Sequence, residues 1–408
     1  MGSFYIPLTG LETNSTALNT IANNLANLNT TGYKSQSTHF SDTFYQELGL
    51  SGGGNQIQLG SGARTVAIEA DRSQGSIAST GNATDVAING NGFFVLNNGG
   101  SNIYTRDGNF GLDFNGNLVT QQGLAVMGYP AVGGVVNNNS PLTGIHIPVG
   151  QVEPPQASSN FTMTANLNAT AAVGTAVPGQ ITLYDSLGHA HVATITYTKT
   201  SNNNWNYSIA LPAGEAAAAV NNTGTLTFNS NGTLTAPAAN VAGISFTGLT
   251  DGASNLTFNW NILGSNGTPT LTQVDAASGV SATSQDGYAS GQYQDFTIAA
   301  DGTVNVTFSN GQHLAVGQLA MANVANLQGL QQLGTGDYAT TLASGSANIG
   351  VANAGGLGNF EDSALEQSNV NISGEFSQLI IAQRAFEANS KAVTTFDTLA
   401  QETINMIH

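Results

Sequence analysis

Cysteine is absent from all 408 residues, which excludes disulfides, thiolate zinc sites and cysteine nucleophiles. Positive charge is almost as scarce. Seven cations (Lys34, Arg64, Arg72, Arg106, Lys199, Arg384 and Lys391) stand against 24 acids, for a net charge of −17. A nucleic-acid binder needs clustered cations to displace counterions from phosphates, so no nucleic-acid partner is expected, and anionic membrane surfaces are excluded for the same reason. Charged residues of both signs make only 8% of the chain, against about a quarter in an ordinary domain. No apolar run approaches the roughly 18 residues a membrane helix requires, so no membrane insertion is expected. The stretch from Met1 to Pro7 lacks the cationic and long apolar regions of a cleavable signal. Proline is sparse, at 10, and even with 50 glycines the pair stays below the roughly 25–30% at which low-complexity disorder becomes the default.

What is present divides into like ends and an unlike middle. From Leu8 to Leu28 apolar residues fall at heptad spacing. Leu11, Leu18 and Leu25 share one line, Ile21 and Leu28 its partner, and Asn14 interrupts the second. The C-terminal segment repeats the pattern at greater length: Ile372, Leu379, Phe386, Val393, Ala400 and Ile407 are seven apart, accompanied by Phe376, Ala382 and Phe396. Asn371 is a candidate N-cap, Glu375 falls in the first turn where the helix dipole favours an anion, and Glu387 with Lys391 makes an i,i+4 pair. Seams this narrow belong to coiled-coil strands. The expectation is that the termini pair with each other and that further copies of the chain supply the remaining burial.

Between the ends the period changes to two. Short runs such as Phe93–Leu96, Ile181–Tyr184 and His191–Tyr197 are bounded by Asn-Gly and Asp-Gly turns, which points to antiparallel sandwiches or barrels. The fold class expected is mainly β with helical termini. Four parts nest along the chain: a terminal coiled-coil domain (1–30 plus 365–408), an extended connector (31–69), a β-rich middle domain (70–144 plus 285–364) and an inserted outer β-domain (145–284).

Little in the sequence carries chemistry. Asp113-Phe114-Asn115-Gly116-Asn117 opens like a calcium loop, but the later positions of that motif are wrong, and a β-turn is the better reading. His189 and His191 have the spacing of two ligands on one strand face. With no third histidine and no adjacent carboxylate cluster, they read as solvent-facing strand residues. Asp185-Ser186-Leu187-Gly188-His189 holds triad residue types consecutively, where their side chains cannot converge, and reads as a turn. No catalytic, cofactor-binding or metal residues are expected, and the chain does not read as an enzyme.

The ends carry a more specific signal. Thr9-Gly10-Leu11, Ala22-Asn23-Asn24-Leu25-Ala26-Asn27, Gly32-Tyr33-Lys34-Ser35 and Phe40-Ser41-Asp42-Thr43-Phe44 resemble the N-terminal signature of bacterial flagellar rod and hook proteins. Leu365-Glu366-Gln367-Ser368-Asn369-Val370-Asn371-Ile372, Ala382-Gln383-Arg384-Ala385-Phe386 and Asn389 resemble the C-terminal one. Gly90–Val95 and Tyr104–Gly108 match the family's next domain, and Tyr184–His189, Lys199, Trp205 and Asp286–Tyr288 resemble the insert of its hook members. Ala22 stands where the family usually has glycine, and Asn371 where it has aspartate.

The resemblance implies a structural subunit that self-assembles into the curved tube joining motor to filament. Its implied partners are copies of itself, rod, hook-cap and hook–filament junction proteins, and the flagellar type III export apparatus, with no cofactor. A distal rod protein is the alternative within the family, and a β-rich surface adhesin the alternative outside it.

Overall fold

In the computed structural model the chain is mainly β, with one helix near each end. The structure describes residues 4–406 apart from Ser51, Asn55 and Ser265, so Ile407 lies outside the described residues. Two compact units emerge, the first made of residues 1–149, 295–306 and 313–408, and the second of 150–294 and 307–312.

The first unit contains both helices, α1 (Tyr5–Ala26) and α2 (Ile372–Met406). Asn371 caps α2, its Oδ1 accepting the Gly374 N–H at 3.1 Å. Residues 31–69 correct an expectation: instead of a connector, the chain runs out and back as two antiparallel ribbons. Strand β1 (Gln36–Asp42) pairs with β4 (Ala63–Ala70), and β2 (Tyr45–Leu50) pairs with β3 (Gln56–Gly60). Alternating Thr38, Phe40, Val66 and Ile68 favour a pleated strand, and Gly52-Gly53-Gly54 lies at the reversal, with Gly54 at φ +79°. Most of the unit's remaining strands join one antiparallel sheet, whose inner strands include Phe93–Asn98, Ser101–Thr105 and Ala125–Val132. Phe94, Val95 and Leu96 are fully buried in it. Just before α2 the chain lays two short strands, Asn359–Asp362 and Ala364–Glu366, against Val86–Asn89 and Ile77–Ser79, which joins the C-terminal helix to the N-terminal half of the body.

The second unit is a sandwich. Five strands, from Ala176–Tyr184 to Leu234–Ala236, form an antiparallel sheet, and a six-stranded sheet is built around Val241–Leu249, Leu256–Trp260 and Asn160–Asn166. One core draws on both sheets, with Trp205, Tyr197, Phe161, Phe258 and Trp260 nearly fully excluded from water. Trp205 satisfies its indole by donating to Gln273 Oε1 at 2.9 Å. The period-two rule holds along Ala190–Ser201, where His191, Ala193, Ile195, Tyr197 and Lys199 form one buried row. His191 therefore faces inward, not toward solvent as its sequence neighbourhood suggested, because it shares strand parity with Ile195 and Tyr197.

Candidate assembly interface

The helices run antiparallel. Phe4 meets Phe396 at a centroid distance of 5.9 Å, Gly10 lies against Asn389, and Asn24 donates to Glu375 Oε1 at 2.9 Å. Gly10 leaves room for the Asn389 side chain, since a Cβ there would sit 2.7 Å from its amide and that side chain would have to move. Asn389 in turn donates to the Ala385 carbonyl at 3.0 Å.

A polar face of α1 packs on the β1–β4 ribbon. Thr9, Thr13, Thr20 and Asn24 are buried there, while Leu11, Leu18, Leu25 and Leu28 are only half-buried and Ile21 alone of the expected seam is fully covered. The threonines tolerate burial because their hydroxyls bond backward along the helix, Thr13 to the Thr9 carbonyl at 2.9 Å and Thr20 to that of Thr16 at 3.0 Å. Thr38 of β1 donates to Thr20 Oγ1 at 3.0 Å. Asn24 has no exposed surface, and every valence of its amide is used. It donates to the Gln36 carbonyl and to Glu375, and accepts from the Gln36 N–H and the Tyr33 hydroxyl. Asn23 and Asn27 instead secure the helix end, Asn23 donating to the Tyr33 hydroxyl at 3.0 Å and Asn27 to the Asn23 carbonyl at 2.9 Å.

Along α2, Leu379, Val393, Phe396 and Ala400 are half-buried, and Ala382 is the one residue fully covered among those described. Ile372, Phe376 and Phe386, expected in the seam, stay exposed, and so do Ile380 (58%), Ile381 (68%), Leu399 and Met406 (81%). Gln383 is exposed. Arg384 reaches Glu387 at 3.3 Å, which replaces the expected Glu387–Lys391 pair, since the i,i+3 guanidinium takes the carboxylate first. The apolar surface continues on the ribbons, where Phe40, Phe44, Val66 and Ile68 are exposed.

A buried ionic knot anchors this assembly to the β body. Glu366, with no side-chain exposure, accepts from Lys34 Nζ at 2.5 Å through Oε1 and from Arg106 Nη1 at 3.1 Å through Oε2. Gly75 N–H adds a 2.8 Å bond to Oε1. Arg106 also donates to the Gly90 carbonyl at 2.7 Å and Lys34 to that of Ser73 at 2.7 Å. Gly32 closes the joint. Its N–H reaches the Glu366 carbonyl at 2.8 Å, it adopts φ +66°, and a Cβ would lie 2.8 Å from the Arg106 backbone. Burial pulls the Lys34 ammonium and the Arg106 guanidinium below their ordinary pKa values, and the Glu366 carboxylate opposes both shifts. Burial raises the Glu375 carboxyl, with the Asn24 amide opposing, and Glu375 Oε2 has no hydrogen-bond partner.

Sequence reasoning missed Glu366 and its two cations as a site, although Lys34, Arg106 and Glu366 each lie in a separate family motif. Three rare charges, one per motif, were the available signal.

Four family models match parts of the chain. Flagella basal body rod protein matches residues 4–34, Flagellar hook protein FlgE/F/G D1 domain 87–166, Flagellar basal body protein FlaE D2 domain 155–288, and Flagellar basal body rod FlgEFG protein C-terminal 361–406. Flagellar hook protein FlgE of Escherichia coli K12 is 34% identical over 99% of this chain and 100% of its own length. The FlgE of Borreliella burgdorferi is 31% identical over 100% and 99%. The crystal structure of Helicobacter pylori flagellar hook protein FlgE2 shares the fold, with a TM-score of 0.53 at 14% identity, over 71% of this chain and 99% of that one.

Two predictions follow from the geometry. Replacing Glu366→Ala strands two buried cations and should destabilise the first unit by about 3–5 kcal/mol in denaturant unfolding, with the tryptophan-reported transition of the second unit unmoved. Glu375, whose carboxyl is raised on folding, contributes stability that is fully present below its ordinary value of 4.5 and is lost as pH rises through the folded value. The helix pair should therefore gain amide-exchange protection as pH falls from 7 toward 4.5, and Glu375→Gln should remove that gain.

Proposed function

The chain belongs to the flagellar hook protein family and is a structural subunit of the hook that polymerises with copies of itself, and we propose that α1, α2 and the β1–β4 ribbon form the surface through which it does so. The observation that supports this reading is the mismatch on α2. One row of the helix is covered by α1, while Phe376, Ile380, Ile381, Leu399 and Met406 remain in water. Exposed apolar patches of this kind mark interaction sites, and a helix of this length draws most of its stability from packing. Neighbouring copies of the same helix pair are the natural cover, since each presents the same narrow seam.

In this reading the contacts of the polymer core run through Leu11, Leu18, Leu25, Leu28, Phe376, Leu379, Phe386, Val393 and Phe396. The β units carry load outside it. Rod, cap and junction proteins meet the same helices at the two ends of the polymer, and the subunit passes through the type III export apparatus before it assembles. The relatives are structural proteins, and the reading assigns the chain no enzymatic role.

The test is a double substitution, Phe376→Ser with Ile380→Ser, in the full chain. Neither side chain is buried in the subunit, so circular dichroism and thermal unfolding of the monomer should be unchanged. Electron microscopy of a hook-deleted strain carrying the variant should show no hooks. Hooks of normal length, with normal swimming, would overturn the assignment of this surface.

A further inference from the structure

In a chain with 8% charged residues, five ionisable side chains converge at one end of the second unit. His191 enters on the buried row of its strand, with Nδ1 2.8 Å from Glu215 Oε2 and Nε2 3.1 Å from Asp185 Oδ2. Asp251, in the turn after Val241–Leu249, places Oδ2 3.4 Å from the same Nε2 and 3.5 Å from His189 Nδ1. The donor atoms of Asp185, His189 and Asp251 all lie within 4.8 Å of one another.

The turn orients these atoms. Asp185 Oδ1 accepts the Leu187 and His189 N–H groups at 2.8 and 2.9 Å, leaving Oδ2 for the cluster, and the side chain is wholly buried. Asp251 Oδ1 takes the Ala253 N–H at 3.0 Å, while its Oδ2 is buried with no hydrogen-bond partner. Asp251 Oδ2 thus faces both imidazoles at ion-pair distance while making no hydrogen bond to either.

Ligands bound tetrahedrally at about 2.0–2.1 Å stand about 3.4 Å apart, and the separations of 3.1, 3.4 and 3.5 Å are of that size. We infer that Asp185, His189, His191 and Asp251 form a binding site for a divalent transition-metal ion of the zinc class, with Glu215 as a positioning residue on His191. Two ring nitrogens select zinc-type ions over magnesium or calcium, and a carboxylate on Nδ1 holds Nε2 toward the ion. His191 lies on a strand of the five-stranded sheet, Asp185 and His189 lie in the turn that leads into that strand, and Asp251 follows a strand of the six-stranded sheet. The ion clamps the two sheets together, as a disulfide does in other sandwiches, in a chain without cysteine.

The test is calorimetric titration of Zn2+ into the full-length, chelator-stripped monomer. One saturable ion per chain is expected, with Co2+ in the same site giving the intense visible band of four-coordination. Asp251→Asn and His189→Ala should each weaken binding by about tenfold or more, and Glu215→Gln by about tenfold. His189 is largely exposed and Asp251→Asn is isosteric, so both variants keep the fold, which tryptophan fluorescence checks. Replacing the exposed His39→Ala in the first unit should leave binding unchanged. Absence of saturable binding, binding that survives both ligand substitutions, or an equal loss in His39→Ala would overturn the site.

Discussion

Two antiparallel helices and one ribbon cover a single row of each helix, and α2 carries apolar residues on more than one. That constraint governs the first unit. The face of α1 toward the ribbon is built from threonines and Asn24, whose polar groups are satisfied within the subunit. The leucines at heptad spacing are left half-covered. The subunit thus closes its polar accounts internally and leaves its apolar ones open, the arrangement expected of a piece of a larger core.

A helix pair with an open apolar face also needs a fixed attachment to the β body. Glu366 supplies one. A single buried carboxylate joins the segment entering α2, the loop following α1 through Lys34, and the β body through Arg106. Such a knot is a poor source of net stability, because desolvation offsets most of the attraction. Its value lies in geometry: the charges have one satisfied arrangement, and misalignment leaves them unpaired in a dry site.

The fold class and the helical ends were legible because period-seven and period-two patterns survive without tertiary information. Ile21, Ala382 and Phe396 sit where the heptads placed them, in or beside the helix contact. Ile372 and Phe376 do not, because a heptad line marks apolar residues without saying which partner covers them. The ribbon over 31–69 was missed because its strands pair across a glycine-rich reversal and expose most of their apolar residues, which blurs alternation. His191 was misplaced for a different reason. Asp185 lies six residues before it, but its other carboxylate partners, Glu215 and Asp251, lie 24 and 60 residues away and outside any local window, and the remaining local clue was its parity with Ile195 and Tyr197. The Glu366 knot spans 332 residues from Lys34 and was invisible to any reading by segment.

The central claim is that the uncovered face of α2 is buried by other copies in the assembled hook. The lack of native cysteine makes this directly measurable, since a single Ile380→Cys substitution introduces the molecule's only thiol. Maleimide labelling should be rapid in the monomer, where this position is 58% exposed, and strongly suppressed in assembled hooks, while a cysteine at the exposed tip residue Phe114 labels in the monomer at a similar rate. Equal labelling of Ile380→Cys in monomer and hook would contradict the account.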